Sequence, residues 1–206
     1  MLPLYDESHF KNRTPWAVPL LIVLNTVIFF VSLQNLGGFI DMYGLVPQAF
    51  LAGRNNFAAV AYLFLHAGFW HLLGNMWFLW IFGGNVERRL GGFKFLVFYL
   101  ICGLGSALLY SLAAVNKEIP VIGASGAVGG ILGAYLVFFP RNKIKSLVPL
   151  IVIWTIISVP AAFFILAWFS LQFASLVFGA NDMVAYWGHI GGFMAGFFLA
   201  KLLKRL

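Results

Sequence analysis

Charge is what this sequence has least of. Only 9% of its 206 residues are Asp, Glu, Lys or Arg, against about 25% in an ordinary soluble domain. Hydrophobic residues make up 62%, more than one water-facing globule can cover, which excludes a soluble enzyme or binding domain. Disordered and collagen-like classes fall on the same ground. Cysteine is nearly absent: Cys102 stands alone, so no intramolecular disulfide can form and the redox compartment is unreadable. Acidic residues number six, Asp6, Glu7, Asp41, Glu87, Glu118 and Asp182, all read as lying in loops or tails.

What is there is a series of six apolar stretches, roughly residues 16–36, 67–82, 93–114, 123–139, 160–178 and 185–199. A membrane-spanning helix needs ~20 apolar residues, so the expected fold is all-α: a bundle of six transmembrane helices. The first stretch is too long for a signal-peptide core and no small-residue cleavage site follows it, so it reads as a true span. Between stretches one and two, residues 37–66 are semi-apolar with turn residues Gly44, Pro47 and Gly53, and read as an amphipathic element in the outer interface. Residues 146–159 are uncharged, contain Pro149 and are followed by Pro160. They are expected to lie shallow or re-enter from the cytoplasmic face. In domain terms, residues 1–15 form a short cytoplasmic tail, 16–200 the helical domain, and 201–206 a basic cytoplasmic tail.

The net charge of +7 is an orientation signal and no nucleic-acid patch. Lys11, Arg13, Arg88, Arg89, Lys94, Arg141, Lys143, Lys145, Lys201, Lys204 and Arg205 fall on one side of the six-span scheme, leaving only Arg54 and Lys117 on the other. Positive connections stay cytoplasmic, which puts both termini inside.

Ionisable residues within apolar spans are costly and point to function. His71 and Asn75, four apart, share one helical face, whereas His66 and His71 diverge. No i,i+4 histidine pair with a nearby carboxylate exists for zinc. Interhelical hydrogen bonding accounts for His71 and Asn75 as readily as chemistry does. Ser125 opens the fourth span within Gly123-Ala124-Ser125-Gly126, where an N-cap is the plain alternative. Gly129 and Gly133 follow it at steps of four, baring one face. The last span carries Gly188, Gly192 and Gly196 as a double GxxxG beside His189. Two bare faces invite close packing, and the histidine can take the proton of a serine hydroxyl. With both termini inside, spans two, four and six run inward, so Ser125, His189, His71 and Asn75 all fall in the outer half of the bilayer. No carboxylate is placed to complete a triad; Asp182, seven residues before His189, is not expected to reach it.

Four motifs, HLLGNM (71–76), NVERRLG (85–91), GASG (123–126) and HIGG (189–192), stand in an order that resembles the rhomboid family of intramembrane serine proteases. YGLVPQAF (43–50) is similar to the first loop of bacterial members. The resemblance implies a six-helix core in a bacterial cytoplasmic membrane that cleaves transmembrane proteins without cofactor or metal, its partners being those substrates and membrane lipids. It implies Ser125 as nucleophile and His189 as general base. The oxyanion would be held by His71, Asn75 and the Ser125 backbone N–H, with Gly123, Gly126 and His66 in support and Glu87 in a structural cluster with Arg88 or Arg89. Two features depart from the pattern. Arg54 lacks an adjacent tryptophan, and Gly129 stands where some members place an aromatic ring against the histidine. The bulky fifth span, with Phe163, Phe164, Trp168 and Phe173, is a candidate lateral route for substrate, or simply faces lipid. The rival readings are a non-catalytic rhomboid-like protein that binds transmembrane clients, and a small transporter using the same polar cluster.

Overall fold

A computed structural model describes residues 1–7, 14–150, 153–179 and 184–205. Each apolar stretch becomes helical because a run of Leu, Ala, Phe and Ile can pair all of its backbone groups only within itself once water is excluded. Strand β1 (Leu2–Asp6) precedes α1 (Ala17–Ser32), which continues through a 3₁₀ turn at Leu33–Asn35 into α2 (Leu36–Tyr43). Short helices α3 (Pro47–Leu51) and α4 (Ala58–Ala61) follow. Then α5 (Phe69–Phe78) runs through a π-helical turn, Leu79–Gly83, into α6 (Gly84–Leu90). The rest is α7 (Gly92–Ala113), α8 (Ser125–Phe138), strands β2 (Lys143–Leu150) and β3 (Ile153–Pro160), α9 (Ala161–Val177) and α10 (Tyr186–Lys204). Among the described residues, two helical segments, Ala17–Tyr43 and Gly92–Ala113, are long and apolar enough to cross a membrane by length and composition, and Ser125–Phe138 and Ala161–Val177 are shorter apolar helices.

The centre of the bundle is α8, buried continuously from Gly126 to Tyr135. Helix α10 lies against it at backbone contact. A Cβ at Gly192 would fall 1.8 Å from the Gly126 carbonyl oxygen, and one at Gly196 would fall 2.0 Å from that of Gly130. Side chains there would hold the helices apart, so the double GxxxG fixes their separation. The bare face of α8 is broader than the Ser125/Gly129/Gly133 stripe, because Gly126 and Gly130 meet the α10 glycines. Gly188 and Gly191 face α7 instead, near Ser106 and Leu109.

The all-α expectation is corrected by a three-stranded antiparallel sheet in the order β1-β2-β3. The segment expected to lie shallow or to re-enter is strand. Residues 146–150 and 153–159 belong to β2 and β3, which pair antiparallel in register from Lys143↔Pro160 to Leu150↔Ile153. The cause is β-branched composition (Ile144, Val148, Thr155, Ile156, Ile157, Val159) with period-two burial: Ile144 and Ser146 are fully buried and Lys145 between them is not. Within the N-terminal stretch read as a polar tail, Leu2–Asp6 adds the third strand, pairing Leu2↔Leu147 and Asp6↔Ile144. The Asp6 carboxylate is buried and accepts from Asn85 Nδ2 and the Tyr135 hydroxyl, while Trp77 Nε1 donates to the Pro3 carbonyl at 2.7 Å. Glu7 sits at the sheet margin, 3.1 Å from Lys145 Nζ. Its carboxyl is held below the usual range by the Ser158 hydroxyl and then by Lys145.

Glu87, read as a loop acid, lies in the first turn of α6 and is 2% exposed. Its carboxylate accepts the backbone N–H groups of Trp16, Ala17 and Val18 at 2.7–2.8 Å. It caps α1 from another helix, satisfying the open N-terminal donors of Trp16, Ala17 and Val18, while Pro19 has no N–H to satisfy. Arg88 Nη1 donates to Asn85 Oδ1 at 3.1 Å. Gly91, at φ +85°, makes the reversal from α6 into α7 that an L side chain would resist.

Residues 37–66, expected as an amphipathic interfacial element, pack onto the bundle. Leu45, Ala58, Ala59, Tyr62 and Leu63 are buried. Leu45 pairs with Val121 through both backbone bonds. Tyr62 donates its hydroxyl to the Gly103 carbonyl at 2.8 Å, and its own carbonyl accepts the Gly123 N–H at 2.9 Å. That last bond holds the turn entering α8.

Candidate active site

Helices α5, α8 and α10 each bring one polar group to the same end of the bundle. Ser125 is the first residue of α8, His71 the third of α5 and His189 the fourth of α10, so all lie within about 5 Å of a helix start at 1.5 Å per residue. The N-cap role open to Ser125 is not taken: Ala124 occupies that position without a side-chain cap. Ser125 Oγ instead lies 2.8 Å from His189 Nε2.

The approach to Ser125 depends on Gly123. At φ +127° this residue has a conformation that suits only glycine, and a Cβ there would fall 2.7 Å from His71 Nε2. The bare α-carbon lets the His71 ring lie over the turn beside Ser125. His71 Nδ1 accepts the Ala67 N–H at 3.4 Å, which leaves Nε2 as the N–H donor toward the cleft. Asn75 Nδ2 donates one hydrogen to the His71 carbonyl at 3.0 Å and keeps a second. His66 is fully buried behind these groups, its ring edge-on to His71 at 5.0 Å between centroids. Gly126 faces away from the cleft, against Ser106 of α7.

His71, Asn75, Ser125, Trp168, Gln172 and His189 line one cleft of about 430 Å³ between α5 and α9. Trp168 and Gln172 were not among the site residues expected from sequence. Gln172 Oε1 lies 2.8 Å from His189 Nδ1. The Trp168 ring stands 6.2 Å from the imidazole at an interplanar angle of 30°, and Tyr186 meets the same imidazole edge-on at 6.2 Å. The indole tip comes within 3.6 Å of where a Cβ of Gly129 would be. The aromatic contact missing from α8 is thus supplied by α9. A signal was present: Gln172 is the one carboxamide in an apolar helix, one turn from Trp168. On the same helix Phe163 and Phe173 face outward, while Phe164 is buried between Phe78 and Phe82. Asp182 lies outside the described residues, as does His9.

Chemically, the cleft offers a hydroxyl hydrogen-bonded to an imidazole. Two further N–H donors, on His71 and Asn75, flank it with the backbone N–H at the start of α8. That combination suits acyl transfer: a nucleophile, a base and donors for a developing oxyanion.

Comparison with known proteins identifies the family. The family model described as the rhomboid domain matches residues 53–206. RHOMBOID-like protein 2 of Arabidopsis thaliana is 38% identical over 236 residues, covering 97% of this chain and 70% of its own length. The rhomboid protease GluP of Bacillus subtilis is 31% identical, covering 96% of this chain and 37% of that protein. Rhomboid protein 1 of Saccharomyces cerevisiae, mitochondrial, is 30% identical over 92% of this chain and 54% of its own length. The chain spans about half the length of several of the curated relatives it matches.

Proposed function

Because this chain belongs to the rhomboid family of integral membrane proteins, we propose that it is an intramembrane serine endopeptidase working with a Ser125–His189 dyad. The observation that carries the reading is the 2.8 Å contact between Ser125 Oγ and His189 Nε2 in an open cleft. His189 takes the hydroxyl proton as Ser125 attacks a peptide carbonyl. The tetrahedral oxyanion is met by the Ser125 N–H, His71 Nε2–H and Asn75 Nδ2–H. The imidazolium then protonates the departing amine, and water hydrolyses the acyl-enzyme with His189 again as base.

In this reading the helical segments 17–43, 69–90, 92–113, 125–138, 161–177 and 186–204 are six transmembrane elements. Both termini lie in the cytoplasm of a bacterial cell and the cleft opens outward, where water can enter. The pairing of β1 with β2 is consistent with this, since it requires the N-terminal strand and the α8–α9 connection to share a side. A substrate helix must unwind locally to present a scissile bond. Cleavage is therefore expected near the outer end of a substrate span, at small or helix-breaking residues.

The test is reconstitution with a fluorogenic transmembrane substrate and labelling by a fluorophosphonate. Wild type should cut and label, and Ser125→Ala and His189→Ala should do neither. Equal turnover in all three ends the protease reading. Binding of transmembrane segments without cutting or labelling would favour a client-binding role.

A further inference from the structure

We propose that Gln172 of α9 is a positioning residue for His189, acting as an uncharged third member behind the serine–histidine pair. The inference rests on the protease reading and extends it to a residue outside the four motifs. For His189 to accept the Ser125 proton, Nε2 must be bare and Nδ1 must carry the ring hydrogen. The atom 2.8 Å from Nδ1 is the Gln172 carbonyl oxygen, which only accepts. It therefore selects the tautomer that leaves Nε2 free toward Ser125 Oγ. Trp168, one helical turn earlier on the same face, packs its ring near the imidazole. Helix α9 thus restrains both the plane and the rotation of the His189 ring.

An amide suits this place better than a carboxylate. A lone charged group inside an apolar bundle needs a partner to offset its desolvation, while a neutral carbonyl does not. When His189 takes the serine proton, the Nδ1–H···O bond becomes charge-assisted and strengthens. Gln172 then favours the transition state over the resting enzyme, the condition for raising turnover rather than affinity.

The full chain is compared with Gln172→Met, which keeps length and removes the acceptor, and Gln172→Glu, which keeps an acceptor. Gln172→Met should lose about 10–100-fold in kcat, part of what acid–base catalysis contributes, with KM within about twofold because the substrate contacts remain. Gln172→Glu should recover most of that loss. Histidine-selective ¹⁵N spectra give a readout independent of turnover, with the His189 signals identified by their disappearance in His189→Ala. Wild type should show a protonated Nδ1 and a bare Nε2, and Gln172→Met a mixture of tautomers. If Gln172→Met does not fold, Gln172→Asn, one methylene too short to reach Nδ1, takes its place. Wild-type kcat in Gln172→Met, equal losses in the Met and Glu variants, or an Nε2–H tautomer in wild type would overturn the proposal. A wild type that neither cuts nor labels would instead overturn the protease reading, and the tautomer spectra would still decide the assignment of Gln172.

Discussion

Asn75 is buried, yet only one of its two amide hydrogens is held by its own helix, by way of the His71 carbonyl. The second is available to an oxyanion, and loss of a single such donor elsewhere costs about 10²–10³ in turnover. Asn75→Ala is therefore expected to lower kcat by about that factor and to slow fluorophosphonate labelling of Ser125 in parallel, with KM little changed. Turnover within a few-fold of wild type would reduce Asn75 to a helical hydrogen bonder. At this scale the sequence was informative where polarity is rare. Ser125, His71, Asn75 and His189 stand out because each is unusual in an apolar span. Gln172 and Trp168 did not stand out in the same way, because an aromatic–polar pair on one helix does not say which neighbour it faces. Glu87 was visible as an acid, but its partners, three backbone N–H groups about 70 residues away, have no signature of their own.

Between elements, the decisive contact is that of α8 with α10, because it sets how far a serine on one helix stands from a histidine on the other. Gly192→Ala would place a methyl carbon against a backbone carbonyl that cannot turn aside. Overpacking of this kind costs about 1–3 kcal/mol and occasionally more, and it moves Ser125 away from His189. Gly192→Ala is expected to lower thermal stability in detergent and abolish cleavage. Gly37→Ala in α2, where the added carbon meets nothing within 4 Å, should leave both unchanged. Activity in Gly192→Ala at the wild-type level would mean the helices tolerate separation. The glycine repeats were legible in sequence as packing faces, but the pairing was not. The α10 glycines meet Gly126 and Gly130, a register fixed by the crossing of two helices and not by spacing in either. The hairpin of β2 and β3 was legible only as an uncharged gap. Its period-two burial becomes visible once a third strand and the underside of the bundle define an inside.

Across the whole molecule, the arrangement ties chain segments that are far apart. Strand β1 and Asp6 join the N-terminal stretch to Asn85 of α6, Tyr135 of α8 and the hairpin before α9, and Glu87 joins α6 to α1. If the six-span reading holds, positions 117 and 143 lie on opposite sides of the membrane. With the buried Cys102 replaced by Ala, single cysteines at those two positions should be labelled from opposite faces of intact cells by an impermeant maleimide. Labelling of both from one face would refute the topology. The sequence by itself determined what is one-dimensional: a chain too apolar for water, the positions of its long helices, an asymmetric distribution of Lys and Arg, and a small set of polar groups at similar offsets from helix starts. These follow from composition and period, which no neighbour is needed to read. Tertiary structure alone decided the 2.8 Å contact of Ser125 with His189, the support of that imidazole by α9, the capping of α1 by Glu87 and the sheet beneath the bundle. Each of these pairs groups remote in sequence, and proximity between remote groups is set by how helices and strands pack.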